Sequence, residues 1–366
     1  MRYSRATVGA AAAILALPVV LSSCVFPSPS PGTNARFNAV AAVDASNAWA
    51  VGTFVDGTGG HELLERWNGT AWQEVFLPPP IGQSLSSVTA VSGHQVVAVG
   101  TSRTLYFGGA GWRSIPNPAG VSLEKVAHGT DGTIYALGIN LHSAGSLWLL
   151  QTNGWKLVSA LSPITSNGCT SSGNAGDLTV VKAKDVWIVG GGQRTNSSQR
   201  CMVAMRWDGT VWHPTAVPQI AGSTLNAISA ISDSDVWTVG VTETTDPQLM
   251  ATFDSTLALH WNGTHWSQIS ATGGGFLNDV VATPDGVWAV GTDEVGAGFP
   301  VGMVIAKWDG RGLANQPVQH LNVPGGITDE SQLSGVALAG GVVTSVGSYS
   351  PKFTVTATLT DRRNAN

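Results

Sequence analysis

The apolar residues of this chain fall in short runs separated by turns rich in Gly, Asn, Asp and Pro. The runs carry bulky apolar side chains at successive positions, without the 3.6-residue spacing of an amphipathic helix. A strand has this pattern when its sheet is covered on both faces. The pattern therefore predicts an all-β protein whose sheets are packed between neighbouring sheets.

One phrase recurs along the chain, an apolar strand that ends in Val-Gly or Leu-Gly, with the last copy degraded. Successive phrase-ending glycines lie 48, 38, 52, 50, 51 and 56 residues apart, at Gly52, Gly100, Gly138, Gly190, Gly240, Gly291 and Gly347. A repeat of this length suits four strands and their turns. The sequence therefore predicts a seven-bladed β-propeller of four-stranded antiparallel blades over residues 37–360.

The other strands of each repeat are also recognisable. A third strand ends in an aromatic residue, an Asn-Gly or Asp-Gly turn follows, and a fourth strand opens with Trp, as in 67–72 and 207–212. Such dipeptides reach positive φ at low cost, which a tight hairpin needs. Together with the Trp of the glycine phrases, thirteen of the fourteen Trp fall on repeat positions, and Trp148 does not. We expect the Trp set to pack between blades; exposed platforms for stacking sugars are the alternative.

The last repeat looks incomplete. It shows strands near 333–338, 342–347 and 353–360, followed by a polar tail at 361–366. Either a fourth strand is missing, or the segment before Phe37 supplies it. The Pro-rich composition of that segment disfavours the second option.

The arrangement resembles kelch-type propellers and the central domain of galactose oxidase, in which the second strand ends in glycine and Trp opens the fourth strand. The resemblance covers about residues 37–360 and concerns architecture, because one Gly stands here where kelch repeats have two, except at 190–192. A radical copper site of the galactose oxidase kind would need a Tyr–Cys crosslink. With four Tyr and both remaining Cys committed elsewhere, we expect no cofactor.

The N-terminal segment indicates export. Arg2 and Arg5 precede an apolar run, which ends in Leu-Ser-Ser-Cys24. This ending resembles the lipobox of bacterial lipoproteins, which implies a signal peptide at 1–23, a lipid on Cys24, and a chain anchored outside the cytoplasm in the cell envelope. A Pro/Ser tether is expected over 24–36. The alternative is an ordinary signal peptide with a chance cysteine.

The chain has three cysteines. If Cys24 is acylated, Cys169 and Cys201 remain as an even pair in an oxidising compartment, which favours a disulfide between them. Two free buried thiols are the alternative. Neither cysteine lies in a Cys-x-x-Cys motif or near a paired His, so we expect no metal site here.

Loop lengths distinguish the two faces of the predicted disc. The first-to-second and third-to-fourth connections hold their length, whereas the second-to-third and blade-to-blade connections vary. Because strands alternate in direction, both variable sets emerge on the same face. Length variation on one face of a rigid scaffold is typical of binding surfaces. Cys169 and Cys201 both lie in these variable connections.

The inner strands of a propeller line its channel. One column of these strands is mostly polar, at Asn38, Ser86, Glu124, Leu178, Asn226, Asn278 and Ser334. These side chains predict either a ligand-binding ring at the channel mouth or merely the hydrophilic wall of a water-filled channel. The second interpretation is favoured.

Catalytic chemistry is sparse. None of the eight His has a metal-binding spacing, and no Gly-x-Ser-x-Gly elbow is present. Glu124 and Asp279 are the acids in the inner strands and are weak candidates for a general base. The net charge of −5 without a basic segment argues against nucleic acid.

The sequence thus favours a monomeric, envelope-anchored propeller that binds a partner through its variable loops. The partner is an envelope protein, a cell-wall polymer or a glycan. An alternative is a glycan-active hydrolase or lyase with a site at the channel mouth, and a third is a structural envelope component. Turnover abolished by Glu124→Ala or Asp279→Ala would distinguish the enzyme.

Overall fold

The computed structural model describes residues 24–27, 34–79, 82–293, 302–318, 330–350 and 357–365, without 162, 167, 172–174, 196, 198, 247 and 249–250. These residues form strands and turns, and they include no helix that is long and apolar enough to cross a bilayer. The expected signal peptide at 1–23 lies outside the described residues. The prediction of an all-β protein is confirmed.

The first three sheets each have four antiparallel strands in chain order. Sheet I contains β2 to β5, at Ala35–Asp44, Asn47–Asp56, Gly59–Trp67 and Trp72–Glu74. Sheet II contains β6 to β9, at Leu85–Ser92, Gln95–Gly100, Arg103–Phe107 and Trp112–Pro116. Sheet III contains β10 to β13, at Val121–His128, Ile134–Asn140, Gly145–Gln151 and Gly154–Leu161.

The remaining sheets depart from this plan. Sheet IV contains β14 to β19, at Ile164–Ser166, Cys169–Ser171, Asp177–Lys182, Asp185–Arg194, Arg200–Trp207 and Trp212–Pro214. Sheet V contains β20 to β27, at Ser223–Ser232, Asp235–Asp246, Ala251–Trp261, Trp266–Ala271, Phe276–Thr283, Gly286–Asp293, Gly302–Trp308 and Gly312–Asn315. Sheet VI contains β28 to β30 and β1, at Glu330–Ala339, Val342–Ser350, Ala357–Asn364 and Cys24–Pro27. Sheet V is two four-stranded antiparallel halves joined by a short parallel pair between β23 and β27.

The sheets stand side by side in a ring. Their inner strands contact one another in the order β2, β6, β10, β16, β20, β24 and β28, and β28 returns to contact β2. Apolar clusters fill the spaces between neighbouring sheets; one joins Trp49 and Leu64 of sheet I to Leu85 and Val96 of sheet II. The chain is therefore a β-propeller.

The recurring glycine has a steric cause. The inner strand of sheet I carries a β-bulge between Phe37 and Ala39, so one residue has no partner on β3. The bulge brings the carbonyl oxygen of Arg36 to within 1.9 Å of where a Cβ on Gly52 would lie. The same close approach, at 1.9–2.0 Å, occurs at Gly100, Gly240, Gly291 and Gly347. A glycine must therefore face the bulge in these sheets.

The tryptophans pack between sheets, as expected. No indole of the fourteen is exposed, and Trp49 and Trp187 are almost fully buried. Indoles that open fourth strands also donate their N–H to the preceding sheet: Trp155 to Thr104 Oγ1 at 2.9 Å, Trp212 to Ser159 Oγ at 3.2 Å and Trp266 to Thr215 Oγ1 at 3.1 Å. Tryptophan thus contributes both packing and a hydrogen bond between sheets.

Sheet VI is completed by the N-terminal segment. β1 pairs antiparallel with β30, from Cys24 opposite Arg362 to Pro27 opposite Leu359. Of the two options that the sequence left open, the segment before Phe37 supplies the fourth strand. The prolines of this segment had argued against a strand. An outermost strand tolerates proline, because its outer backbone N–H groups need no partner in the sheet.

The expectation of a polar tail at 361–366 is wrong for its described residues. Asp361 and Arg363 belong to β30 and are buried. Arg363 Nε donates to Asp361 Oδ2 at 2.7 Å, and Nη1 donates to the carbonyl of Pro317 at 3.0 Å. The charges can be buried because they are paired and hydrogen-bonded.

The predicted disulfide is confirmed. Cys169 and Cys201 are joined, with their Cα atoms 5.8 Å apart. Cys169 lies in β15, part of the β14–β15 hairpin that the sequence did not predict. The hairpin pairs with the end of β17 and extends sheet IV. The disulfide therefore ties an insertion in the blade-to-blade connection to the third strand of the sheet.

Candidate functional site

The two faces of the propeller differ in their exposed apolar side chains. We call the face with the second-to-third and sheet-to-sheet connections the variable face, and the opposite one the turn face. Val55, Leu141 and Phe253, exposed by 43%, 90% and 45%, all lie at second-to-third connections. Val211, exposed by 52%, lies in a third-to-fourth turn on the turn face. The variable face therefore offers more exposed apolar surface at its loops.

A cleft opens on the variable face between sheets II and III. It encloses about 450 Å³ and is lined by 101–102, 117–122, Glu124 and 139–141. Its walls are held by side-chain hydrogen bonds from Asn117, whose amide donates to the carbonyl of Gly100 at 2.8 Å. Polar walls and an apolar rim together make the cleft suitable for a mixed polar and apolar ligand.

The rim of the cleft is fixed by a local turn. Asn140 Oδ1 accepts the backbone N–H groups of His142 at 2.9 Å and Ala144 at 3.0 Å. These bonds close an Asx-type turn, which holds Leu141 outward in solvent. An apolar side chain held this way is preorganised for contact with a partner.

Glu124 provides the charge of the cleft. It is half-buried at the bulge between Leu123 and Lys125. Lys125 interacts with its carboxylate electrostatically, but among the residues that the structure describes the carboxylate accepts no hydrogen bond. A half-buried carboxylate on a cleft wall can accept an N–H donor or attract a cation from a ligand. The cleft is therefore electrostatically suited to a basic or amide-bearing group.

A second cavity, of about 400 Å³, occupies the central channel. Lys125, Asp177 and Asp279 line it from three different inner strands. Lys125 Nζ lies 3.7 Å from Asp177 Oδ1, and this carboxylate raises the pKa of Lys125. Burial raises the pKa of Asp177. Burial, with the neighbouring Asp177 charge, raises the pKa of Asp279 to about 7.

The channel acids also join neighbouring inner strands. Asp177 Oδ2 accepts the backbone N–H of Ile228 at 3.0 Å, and Asp279 Oδ2 accepts that of Val336 at 2.8 Å. Asp279 Oδ1 accepts the N–H of Val280 at 2.9 Å. Each carboxylate thus satisfies a backbone donor of the next inner strand, which gives it a structural role.

Six of the seven residues of the predicted column, all except Leu178, are bulge residues. Three of its members donate their side-chain amides to backbone carbonyls of the next inner strand: Asn38 to Leu85 at 2.8 Å, Asn226 to Leu277 at 2.9 Å and Asn278 to Leu333 at 2.8 Å. Asn38 and Ser334 line the channel cavity and Glu124 lines the cleft, whereas Ser86, Asn226 and Asn278 line neither. The structure does not gather the column into one ring of free polar groups.

The column is misplaced in sheet IV. Leu178 pairs with Ile188 and is buried, and Asp177 pairs with Val189. By this register the bulge position belongs to Gly176, whose N–H donates to the carbonyl of Val189 at 2.7 Å. The sequence therefore missed Asp177 as a channel residue; counting register back from Gly190 would have found it.

The two candidate catalytic acids do not share a cavity, since Glu124 lines the cleft and Asp279 the channel. Within the described ranges, no three His, Cys, Asp or Glu side chains converge as metal ligands. Glu124 and Asp279 therefore do not form a pair of acids about one substrate position.

No protein-family model matches the chain, and no curated protein matches its sequence. Solved structures do resemble it. YCF48 bound to a D1 peptide is 17% identical, with a TM-score of 0.56, over 94% of this chain and 95% of that chain. A protein of unknown function from Dyadobacter fermentans is 11% identical, with a TM-score of 0.50, over 94% and 98%. A chain of the mitotic checkpoint complex is 10% identical, with a TM-score of 0.51, over 98% of both. These similarities support the propeller fold; kelch kinship gains no support from a family match.

Proposed function

We propose that this protein is a seven-bladed propeller that binds a protein partner through its variable face, while a lipid on Cys24 holds it in the bacterial envelope. The blade number follows if the two halves of sheet V count separately, which gives seven inner strands in the ring. A rigid scaffold of this kind positions exposed loops for binding. The peptide bound to YCF48 supports a peptide or protein partner over a polysaccharide.

The observation that carries the proposal is that Leu141 and Glu124 line the same cleft. An apolar anchor and a carboxylate that line the same cleft fit a segment with an apolar side chain next to Lys or Arg. Loss of Arg2 and Arg5 with the signal peptide leaves a side-chain charge of 16 − 23 = −7, which would also attract a basic partner. The partner proposed is therefore an envelope protein with an exposed basic and apolar segment.

Crosslinking in the native envelope tests this function. The full chain would be crosslinked in its own cells and purified, and its partners identified by mass spectrometry. Leu141→Ala and Glu124→Gln should each remove the partner, because each deletes one half of the contact. Val211→Ala removes an apolar side chain that is exposed by 52% on the turn face; it is the control and should retain the partner.

Capture that is unchanged in both cleft variants would contradict the proposal. Recovery of cell-wall fragments or glycans in place of a protein would refute the partner class. The lipid anchor has its own test: intact mass should show a diacylglyceryl group on Cys24, and Cys24→Ser should release the protein from membranes.

A further inference from the structure

The residue proposed to carry the lipid lies within the propeller. β1 begins at Cys24 and pairs with β30, the third strand of sheet VI. The Pro/Ser residues 28–33 follow β1 in the chain and precede β2, so they connect two strands of the same propeller. They therefore cannot separate the anchor from the domain, as the expected tether over 24–36 would.

The direction of β1 places Cys24 near one face. β29 leaves the turn face after the Gly340–Gly341 turn, and β30 runs back towards that face, with Asn364 opposite Val342. β1 is antiparallel to β30 and begins opposite Arg362. Cys24 thus lies at the end of its strand nearest the turn face.

We call the junction between sheets VI and I the seam, and contacts of Arg362 fix its end nearest the turn face. Arg362 Nη2 donates to the carbonyl of Ala45 at 2.7 Å, in the turn between β2 and β3. Its guanidinium also lies 4.1 Å from the ring centroid of Trp67. These contacts across the seam prevent sheet VI from tilting independently of sheet I.

We infer that a lipid on Cys24 holds the turn face against the bilayer and presents the variable face away from it. The inference rests on the proposed lipidation. The turn face is suited to lie beside headgroups, because its third-to-fourth turns are short and closed by polar side chains. Asn68 Oδ1 accepts the backbone N–H of Thr70, and Asp208 Oδ1 accepts that of Thr210. The exposed Leu141 and Phe253 then point away from the lipid, where a partner can reach them.

Depth-dependent quenching measures this orientation. Gly57→Cys and Ala71→Cys place a fluorophore on the variable and turn face of sheet I, next to the seam. Both positions are exposed, and a Cβ at Gly57 would meet nothing within 4 Å. The nine residues of β4 separate the two labels by roughly 30 Å. No other thiol reacts, because Cys24 carries lipid and the other two cysteines are bonded.

Lipidated protein in vesicles with spin-labelled headgroups should quench the label at Ala71→Cys several-fold more than that at Gly57→Cys. Equal quenching, or stronger quenching at Gly57→Cys, would overturn the inference. The mass of the same sample reports whether Cys24 carries lipid, so a failure of lipidation is distinguished from a wrong orientation.

A second experiment tests the pairing of β1 with β30 without any lipid. In a soluble Cys24→Ser chain, Phe26→Cys with Thr360→Cys should crosslink on mild oxidation, because these residues are register partners. Phe26→Cys with Thr358→Cys is displaced by two residues and is the matched control. Crosslinking of the control pair to the same extent, or of neither pair, would refute the placement of Cys24.

Discussion

Substitution of the phrase-ending glycine should be among the most damaging changes that the chain can undergo. In Gly52→Ala the new Cβ would lie 1.9 Å from the carbonyl oxygen of Arg36, whereas ordinary contacts begin near 3.4 Å. The inner strand would have to move by about 1.5 Å, out of register with the neighbouring inner strands. We expect a loss of about 3–5 kcal/mol, the upper range for one substitution.

Gly57→Ala provides the matched control in the same sheet. Its Cβ would meet nothing within 4 Å, and its φ is not in the left-handed region. Because alanine restricts the unfolded chain, this variant should be unchanged or more stable by about 0.5–1 kcal/mol. Urea unfolding followed by tryptophan fluorescence measures both. A Gly52→Ala variant within about 1 kcal/mol of the parent protein would refute the steric argument.

Three further predictions concern stability. The raised pKa of Asp279 means that the folded state holds this proton more tightly than the unfolded chain does, so its contribution to stability declines as the pH rises from 3.8 to about 7. Asp279→Asn imitates the protonated form and should be more stable than the parent protein at pH 8, by up to about 4 kcal/mol, but not at pH 4. Urea unfolding midpoints measured at pH 4 and pH 8 test this; a difference between variant and parent that is the same at both pH values would contradict it. Trp266→Phe should cost about 1–3 kcal/mol, because it loses an indole and its bond to Thr215, and prior Thr215→Val should reduce that cost in a double-mutant cycle. Replacing both Cys169 and Cys201 by Ser opens a loop of 32 residues and should lower the free energy of unfolding by about 3–4 kcal/mol; a change below about 1 kcal/mol would mean that the hairpin already constrains the loop.

The repeat could be recognised from the sequence because its signals are local. Asn-Gly turns, Trp columns and the phrase-ending glycines all lie within a few residues of the strands that they define. The reason for the glycine could not be found in the same way. A bulge sets two residues against one, and residue letters alone do not show which residue is unpaired.

The same difficulty explains the error in sheet IV. Ala175 and Gly176 stand just before its inner strand, where the other repeats have Leu or Phe followed by a polar residue, so the Leu-x-x-Val pattern drew the alignment to Leu178. The alignment therefore missed Asp177, and with it the ion pair between Asp177 and Lys125 in the channel. The cleft charge was identified as Glu124, but its isolation from hydrogen-bond partners depends on packing that no local pattern encodes.

The N-terminal strand was beyond local prediction for another reason. Cys24–Pro27 has an ordinary tether composition, and its pairing depends on an open edge left by residues at the far end of the chain. Likewise, the burial of Asp361 depends on its hydrogen bond with Arg363. It also depends on β30 continuing beyond its apolar residues into the charged ones. Such contacts are decided by what the rest of the fold leaves unsatisfied.

The sharing of sheet VI between the two ends of the chain constrains the order of folding. During synthesis β1 is made first and β30 last, so every other sheet can form before this one has its full set of strands. Until then the growing protein has exposed strand edges, which favour aggregation. It also still lacks the contacts between residues distant in sequence that close the ring, and such contacts form slowly. A ribosome stalled shortly before residue 357 would therefore leave an open arc, and helper proteins that shield strand edges would matter most in that interval.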